Sequence, residues 1–289
     1  TEYSGIQRYV YANHDSLKWV LIDLKHRDKL LSSSLQIQNA NTIIGHRQSQ
    51  QWADNQWVFF VTRFSQKIAE WQFNNDSTQL ALGFNLNSDT IDIQTTLSFT
   101  GLEGAFVNER SELSKFNFNH KRIDIGLSNA KGISGGVKSG DTKSHRISSR
   151  SGWEGFSDFV MFDFQSVRAA YEQIWESELS RIKIHDTNPD PQQMSTFYTA
   201  LYHCMIHPSL ASDADGRYRG RDQVLHQADH KTYHVFSLWD TYRALHPLLS
   251  LIDKSRTKDF ILTMLDQFEQ GGKLPIWELG SCETNCMIG

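Results

Sequence analysis

The spacing of apolar residues changes once along this 289-residue chain, near residue 160, and that change divides the folds open to it. Through 3–100 the side chains alternate. WVLIDLKH (19–26), NTIIGHRQS (41–49), QWVFFVTRFS (56–65), KIAEWQFN (67–74), TQLALGFNL (78–86) and TIDIQTTLSFT (90–100) are short runs rich in β-branched and aromatic residues, separated by Asn, Asp, Ser and Gly. A period of two puts successive side chains on opposite faces of a strand. So many strands with no helix between them predict antiparallel sheets packed as a sandwich, not βαβ units. The opening TEYSGIQRYVY reads as a further strand, and WADNQ (52–56) as the turn into QWVFFVTRFS.

Beyond about 163 the period becomes helical. FQSVRAAYEQIWESELSRI (164–182) places Val167, Tyr171, Ile174 and Leu179 near one face. DPQQMSTFYTALYHCMIH (190–207) has Asp190 as N-cap, Pro191 in its first turn, and a stripe of Phe197, Leu201, Cys204 and Met205. Residues 209–223 read as a loop. SLWDTYRALHPLLSLI (237–252) predicts one helix with Leu238, Tyr242, Leu245, Leu249 and Ile252 in step, bent at Pro247. TKDFILTMLDQFEQ (257–270) predicts another, from a Thr257 cap to a stop at Gly271-Gly272. Between the halves, 101–117 predicts a short helix with Leu102, Phe106 and Leu113 on one side, and RIDIGLS (122–128) a strand. The Gly-, Ser- and Lys-rich stretch 129–155 reads as a long exposed excursion, since it lacks the strand-turn-helix setting of a phosphate loop. The expected organisation is a partial β-sandwich domain over 1–160 and an all-helical part over 161–289.

Hydrophobic content of 39% and charged content of 21% fit a globular chain. A net charge of -4 gives no electrostatic case for nucleic acid, which requires a basic face. No apolar run is long enough to span a membrane. Cys204, Cys282 and Cys286 supply no disulfide framework and read as small buried hydrophobes or at most one bridge. No signal peptide is visible at the start, and Thr1 in place of Met predicts that the chain begins inside a longer precursor.

The polar residues of the last third stand among aromatics, as in a sugar-binding cleft. Trp239 and Asp240 fall near a helix start. There an Asp is held by the helix field as a cap, or accepts hydrogen bonds from a sugar diol while the indole lines the pocket. Trp277, Glu278 and Glu283 follow a double-glycine turn. Paired carboxylates equip glycoside hydrolysis, and solvated or salt-bridged surface glutamates are the plain alternative. DADGRYRG (213–220) starts like a calcium loop but has Arg217 and Arg219 where oxygen ligands belong, and so predicts a rigid turn with ion-paired arginines. The i,i+4 pairs His203/His207 and His230/His234 lack the glutamate and third ligand of a zinc site. No GxGxxG follows a strand, which excludes a dinucleotide fold.

Several strings together resemble the bacterial exo-acting α-mannosidases of glycoside hydrolase family 92. They are FYTALYHCMIHPSL (197–210), DGRYRG (215–220), YHVFSLWDTYRALHPLL (233–249), MLDQFEQGGKLPIWEL (264–279) and ETNCMIG (283–289). GHRQSQQWADNQWVFFVTRFS (45–65) and LSFTGLEGAFVNE (97–109) extend the resemblance into the first half.

The resemblance implies an antiparallel β-sandwich followed by a helical linker and the first helices of an (α/α)6 barrel. It implies inverting hydrolysis of terminal α-mannosides of N-glycans or mannan, dependent on calcium (Ca2+), in a periplasmic, outer-surface or secreted protein. Trp239, Asp240, Trp277, Glu278 and Glu283 are the implied substrate-binding residues, with Asp240 foremost. The general acid, the general base and most calcium ligands are expected outside this chain, so no catalytic or metal residue is assigned within it. Cys282 stands where many relatives carry Asn, and the 129–155 excursion departs from the family. The expectation is therefore a fragment of such an enzyme, inactive alone and partnered by the remainder of its barrel. A non-catalytic carbohydrate-binding relative and one part of a split enzyme are the alternatives. A partial barrel would also leave apolar helix faces uncovered, which predicts self-association.

Overall fold

The computed structural model describes residues 1–12, 17–85, 89–116, 162–185, 187–188 and 190–286. The predicted strand over 122–128, the 129–155 excursion and the change of period near 160 lie outside them.

The first half is a two-sheet sandwich. β1 (Ser4–Val10), β3 (Lys29–Asn39), β4 (Thr42–Gln50), β5 (Gln56–Phe64) and β8 (Thr90–Ser98) form one antiparallel sheet in the order β1-β8-β5-β4-β3. β2 (Lys18–Asp23), β6 (Ile68–Phe73) and β7 (Gln79–Phe84) form the other, in the order β2-β7-β6. Leu35, Ile43, Phe60, Phe64, Ile91 and Ile93 of the larger sheet meet Leu80, Leu82 and Phe84 of the smaller in one buried core. Burying each such side chain stabilises the fold by about 1.5–3 kcal/mol.

β3 is a strand that the alternation did not predict. Its Ser32-Ser33-Ser34 run has little β propensity and stands at the sheet edge, where tertiary pairing with β4 decides the conformation. The Ser32 and Ser34 hydroxyls face the ring nitrogens of His46 at 3.2 and 3.1 Å.

Helix α1 (Leu102–Phe116) lies on the outer face of the larger sheet, so β5 is covered on both sides and its Phe60–Phe64 run is buried throughout. The face that α1 buries is more polar than the predicted Leu102, Phe106 and Leu113 stripe. Asn108, Glu109 and Glu112 are buried beside Ala105 and Phe106. Glu109 meets Arg63 of β5 in a two-pronged ion pair at 2.7 and 2.9 Å, and Glu112 accepts hydrogen bonds from Tyr3 N and Ser4 Oγ.

In the second half, α2 (Phe164–Leu179) and α3 (Pro191–His203) follow the 3.6 period, though Ile174 is exposed. Asp190 caps α3 as predicted, accepting from Gln192 N. Two helix boundaries differ from prediction. The single bent helix over 237–252 is two, α4 (Leu238–Thr241) and α5 (Leu245–Ile252). The break falls before Pro247, which sits in the first turn of α5, where its missing N–H costs nothing. Helix α6 (Lys254–Gly271) is capped by Asp253, accepting from Arg256 N, and not by Thr257. Its end matches prediction, with Gly272 left-handed at φ 72°.

The second half is also not all helical. β9 (Ser209–Leu210), β10 (Arg217–Arg219), β11 (Leu225–Gln227), β12 (Tyr233–His234), β13 (Phe236–Ser237), β14 (Trp277–Leu279) and β15 (Cys282–Glu283) make short antiparallel pairs between the helices. Two- and three-residue strands are too brief to show alternation. Tyr233, Phe236, Leu249 and Phe260 form a buried cluster in this half. Among the described residues no helix is long and apolar enough to cross a membrane.

Ile261, Leu265 and Phe268 of α6 form an exposed stripe, and Leu251 of α5 is 76% exposed. The isolated chain is expected to self-associate through such surface. Light scattering checks this, and a monodisperse monomer at micromolar concentration would refute it.

Candidate functional site

The sheet β13-β14-β15 brings the predicted residues together. Ser237 of β13 pairs with Trp277 of β14, Phe236 with Glu278, and Glu278 with Glu283 of β15. Trp239 and Asp240 follow β13 directly, in α4. Trp239 is 51% exposed and Asp240 is exposed. Asp240 does not cap its helix; its Oδ2 accepts from Ser237 Oγ.

The two glutamates face inward. Glu278 is 0% exposed, and both its oxygens are engaged. Oε1 stands 2.9 Å from His234 Nδ1 and accepts from Ser281 N at 2.7 Å, while Oε2 accepts from Val235 N at 3.0 Å. Glu283 accepts from the backbone N–H groups of Ile276 (2.8 Å), Trp277 (3.0 Å) and Asn285 (3.0 Å), with Arg221 at 3.5 Å. Burial pushes its carboxyl up, but these amides and the guanidinium outweigh that and hold it below the ordinary range.

Trp52 stands against Trp277, and the sequence reading missed it. It lies in the turn between β4 and β5, is 58% exposed, and meets Trp277 edge to face with centroids 5.4 Å apart. The only signal was an indole inside a turn otherwise made of small and polar residues. Asn55 of the same turn donates to Gln223 Oε1 at 3.1 Å, and Gln223 Nε2 donates to Ser281 O at 3.1 Å. Gln223 (φ 64°), Val235 (φ 68°), Ser281 (φ 68°) and Asn285 (φ 49°) are left-handed, a conformation costing a non-glycine residue about 1–3 kcal/mol.

The DADG turn is held by its own hydrogen bonds, Gly216 N to Asp213 O and Asp213 N to Arg217 O, and of its two predicted ion-paired arginines the structure pairs one. Arg217 meets Asp215 at 2.8 Å and Glu103 at 3.4 Å. Arg219 donates to the carbonyls of Phe99 and Gln223 and lies 5.7 Å from the Trp57 ring centre. Asp213 is buried and accepts from Ser98 Oγ, Thr100 Oγ1 and Asn108 Nδ2. Burial lifts its carboxyl above the ordinary value, against the pull of those donors.

Three of the four histidines of the predicted pairs have separate neighbours, though the His230–Asp266 approach is a charge contact without hydrogen-bond geometry. His230 stands 3.1 Å from Asp266, His234 faces Glu278, and His207 Nδ1 lies 2.8 Å from Ser209 Oγ. Among the described residues no group of three or more His, Cys, Asp or Glu could hold a metal ion. The described cysteines, Cys204, Cys282 and Cys286, are free thiols, and burial pushes the Cys282 thiol up.

An exposed indole beside an exposed carboxylate, with two further indoles in edge-to-face contact, can stack on an apolar sugar face and accept from its hydroxyls.

Comparison with known proteins agrees with that chemistry. Residues 1–114 match the glycosyl hydrolase family 92 N-terminal domain, and residues 157–289 match the glycosyl hydrolase family 92 catalytic domain. No curated protein matches the chain significantly. Among solved structures, it is similar to a family GH92 alpha-mannosidase from Bacteroides thetaiotaomicron, at 26% identity and TM-score 0.73, covering 99% of this chain and 36% of that one. The same enzyme in complex with mannoimidazole matches at 25% identity and TM-score 0.73, with 99% and 34% covered. A family GH92 inverting mannosidase from the same organism shares the fold at 19% identity and TM-score 0.73, again with 99% and 34% covered. The chain thus spans about a third of the length of these relatives. It belongs to glycosyl hydrolase family 92.

Proposed function

We propose that this chain is part of an inverting exo-acting α-mannosidase that removes terminal α-mannose from N-glycans or mannan, and that Trp239, Asp240 and Trp277 line the subsite for the terminal sugar. The observation that carries this reading is the clustering of those residues, exposed or half-buried, on and beside one small sheet in a chain of this family. Asp240 is the hydroxyl acceptor, and the indoles are the stacking wall. Glu283 and Glu278 serve the site from beneath by holding its backbone.

Inversion requires a carboxylic acid to protonate the leaving oxygen and a carboxylate to activate water on the opposite face, roughly 6.5–9.5 Å apart. Glu278 and Glu283 do not suit those roles, because backbone amides take up both carboxylates. The acid and the base are proposed to lie outside this chain. Calcium would orient the sugar diol and offset developing charge. The described residues do not fit the ion: no acidic cluster exists among them, and Asp213 and Asp215 are spent on internal hydrogen bonds. No step through calcium follows from this chain, and its ligands are proposed to lie mostly elsewhere. An exported protein, periplasmic, at the outer surface or secreted, suits a substrate class of extracellular glycans.

Hydrolysis of an α-mannobiose, with calcium and with chelator, tests this when the chain is assayed beside a protein extended to its full reading frame. Activity is expected in the extended protein only. Calcium-dependent activity in the short chain would place the chemistry here after all. Activity in neither would favour a non-catalytic carbohydrate binder.

A further inference from the structure

We propose that Glu278 is a positioning residue: its buried carboxylate latches two left-handed residues, Val235 and Ser281, and so fixes the segments that carry Trp239-Asp240 and Glu283. The role of those segments in sugar binding rests on the function proposed above; the latch itself does not.

Val235 is the sharpest observation. A β-branched side chain at φ 68° crowds its own backbone, and valine is among the residues least suited to that region. The residue joins β12, which pairs with β9, to β13, which pairs with β14. The left-handed turn there hands the chain from one sheet to the other. Its N–H is satisfied by Glu278 Oε2 at 3.0 Å. On the other side, Ser281 at φ 68° forms with Gly280 the turn between β14 and β15, and its N–H is satisfied by Glu278 Oε1 at 2.7 Å. One carboxylate therefore closes two strained turns that flank the sheet.

The third contact makes the latch specific. His234 Nδ1 stands 2.9 Å from the same Oε1, and the His234 ring packs edge to face on Phe99 of the sandwich side at 5.3 Å. Two backbone N–H bonds and the His234 contact on one carboxyl group let a single side chain offset the cost of two left-handed residues. Removal of the latch frees the Val235 turn, four residues before Trp239, and the Ser281 turn, two residues before Glu283.

The test uses this chain with Glu278→Gln, Glu278→Asp, and Glu278→Gln combined with Val235→Gly. Two readouts are taken: amide hydrogen exchange at Val235 and Ser281, and titration with methyl α-mannoside followed by NMR. Glutamine presents an NH2 group to one of the N–H donors, so exchange at Val235 or Ser281 is expected to rise about ten-fold or more while sandwich amides in β4 stay protected. Mannoside affinity is expected to fall by a similar factor. Val235→Gly is expected to restore affinity in the glutamine background, because glycine holds φ 68° without strain. Glu278→Asp keeps the carboxyl group and shortens the reach, and it is expected to give the same loss; it keeps the test open when the glutamine variant does not fold. Unchanged exchange in a folded variant overturns the latch. Wild-type binding with unchanged affinity in the variants overturns the positioning role. No binding by the wild type, with exchange altered as expected, overturns the sugar-site reading and leaves the latch standing.

Discussion

Arg63→Met is expected to lower the unfolding free energy by about 3–5 kcal/mol at neutral pH, read as a shift of the denaturant midpoint. Arg63 and Glu109 have side chains only 4% and 2% exposed, and the guanidinium engages both carboxylate oxygens. It also donates to Thr42 Oγ1 at 3.0 Å. Methionine fills much of the volume but leaves a carboxylate uncompensated between α1 and β5. The loss therefore comes from stranded charge, not from a cavity.

Two checks separate those causes. Adding Glu109→Met to Arg63→Met is expected to recover most of the stability, since apolar replacement of a whole buried pair is close to neutral. The second check is pH. Burial already pushes the Glu109 carboxyl up even with Arg63 opposing it, and without the guanidinium it rises further. A folded-state pKa above the unfolded one means that the folded state binds the extra proton. The variant's deficit relative to wild type is thus full above the folded pKa and shrinks as pH falls through it toward the ordinary carboxylate range. A deficit of the same size at every pH would mean that Glu109 reaches solvent.

Gly104→Ala is expected to cost about 3 kcal/mol or more, because the added methyl displaces three buried side-chain oxygens from the hydrogen bonds they make with one another. A Cβ at Gly104 would enter the contact shells of Asp213 Oδ2, Ser98 Oγ and Thr100 Oγ1. Those three atoms form the hydrogen-bonded knot that ties the DADG turn to the end of β8 and to α1. Asn108, one turn along α1, donates to Asp213 Oδ1 at 2.8 Å and accepts from Ala214 N at 2.7 Å. The extra methyl must therefore push the buried carboxylate off its donors. Combined with Asp213→Ala, Gly104→Ala is expected to cost at least about 1 kcal/mol less than it does alone, because the crowded carboxylate is gone. Strict additivity in thermal or denaturant melts would show that the helix shifts to make room and that the knot does not fix its position.

These two sites show where sequence reading stopped. The sandwich strands were legible as short β-branched and aromatic runs between turn formers, whether one face was buried, as in β2, or both, as in the Phe60–Phe64 run of β5. Asp190-Pro191 and Gly271-Gly272 were legible because capping is local chemistry. β3 was not, since its serines owe their extended form to pairing with β4. Thr257 was a plausible cap, yet Asp253 stands one turn earlier with the stronger acceptor. The polar face of α1 read as ordinary surface charge, because Glu109 and Glu112 show no sign of burial until Arg63 and Ser4 are placed opposite them.

The candidate site divides the same way. Sequence alone determined the sandwich class and the helical character of much of the second half, because periodicity is carried by adjacent positions; it marked Trp239, Asp240, Trp277, Glu278 and Glu283 as candidates, and the pairing of β13, β14 and β15 brought their segments together. Only the tertiary structure decided which of these face solvent. It turned Glu278 inward onto Val235 and Ser281, and it set Trp52 against Trp277 from 225 positions away. The physical reason is that burial, ion pairing and left-handed strain depend on which distant groups arrive opposite a residue, and no local pattern records that.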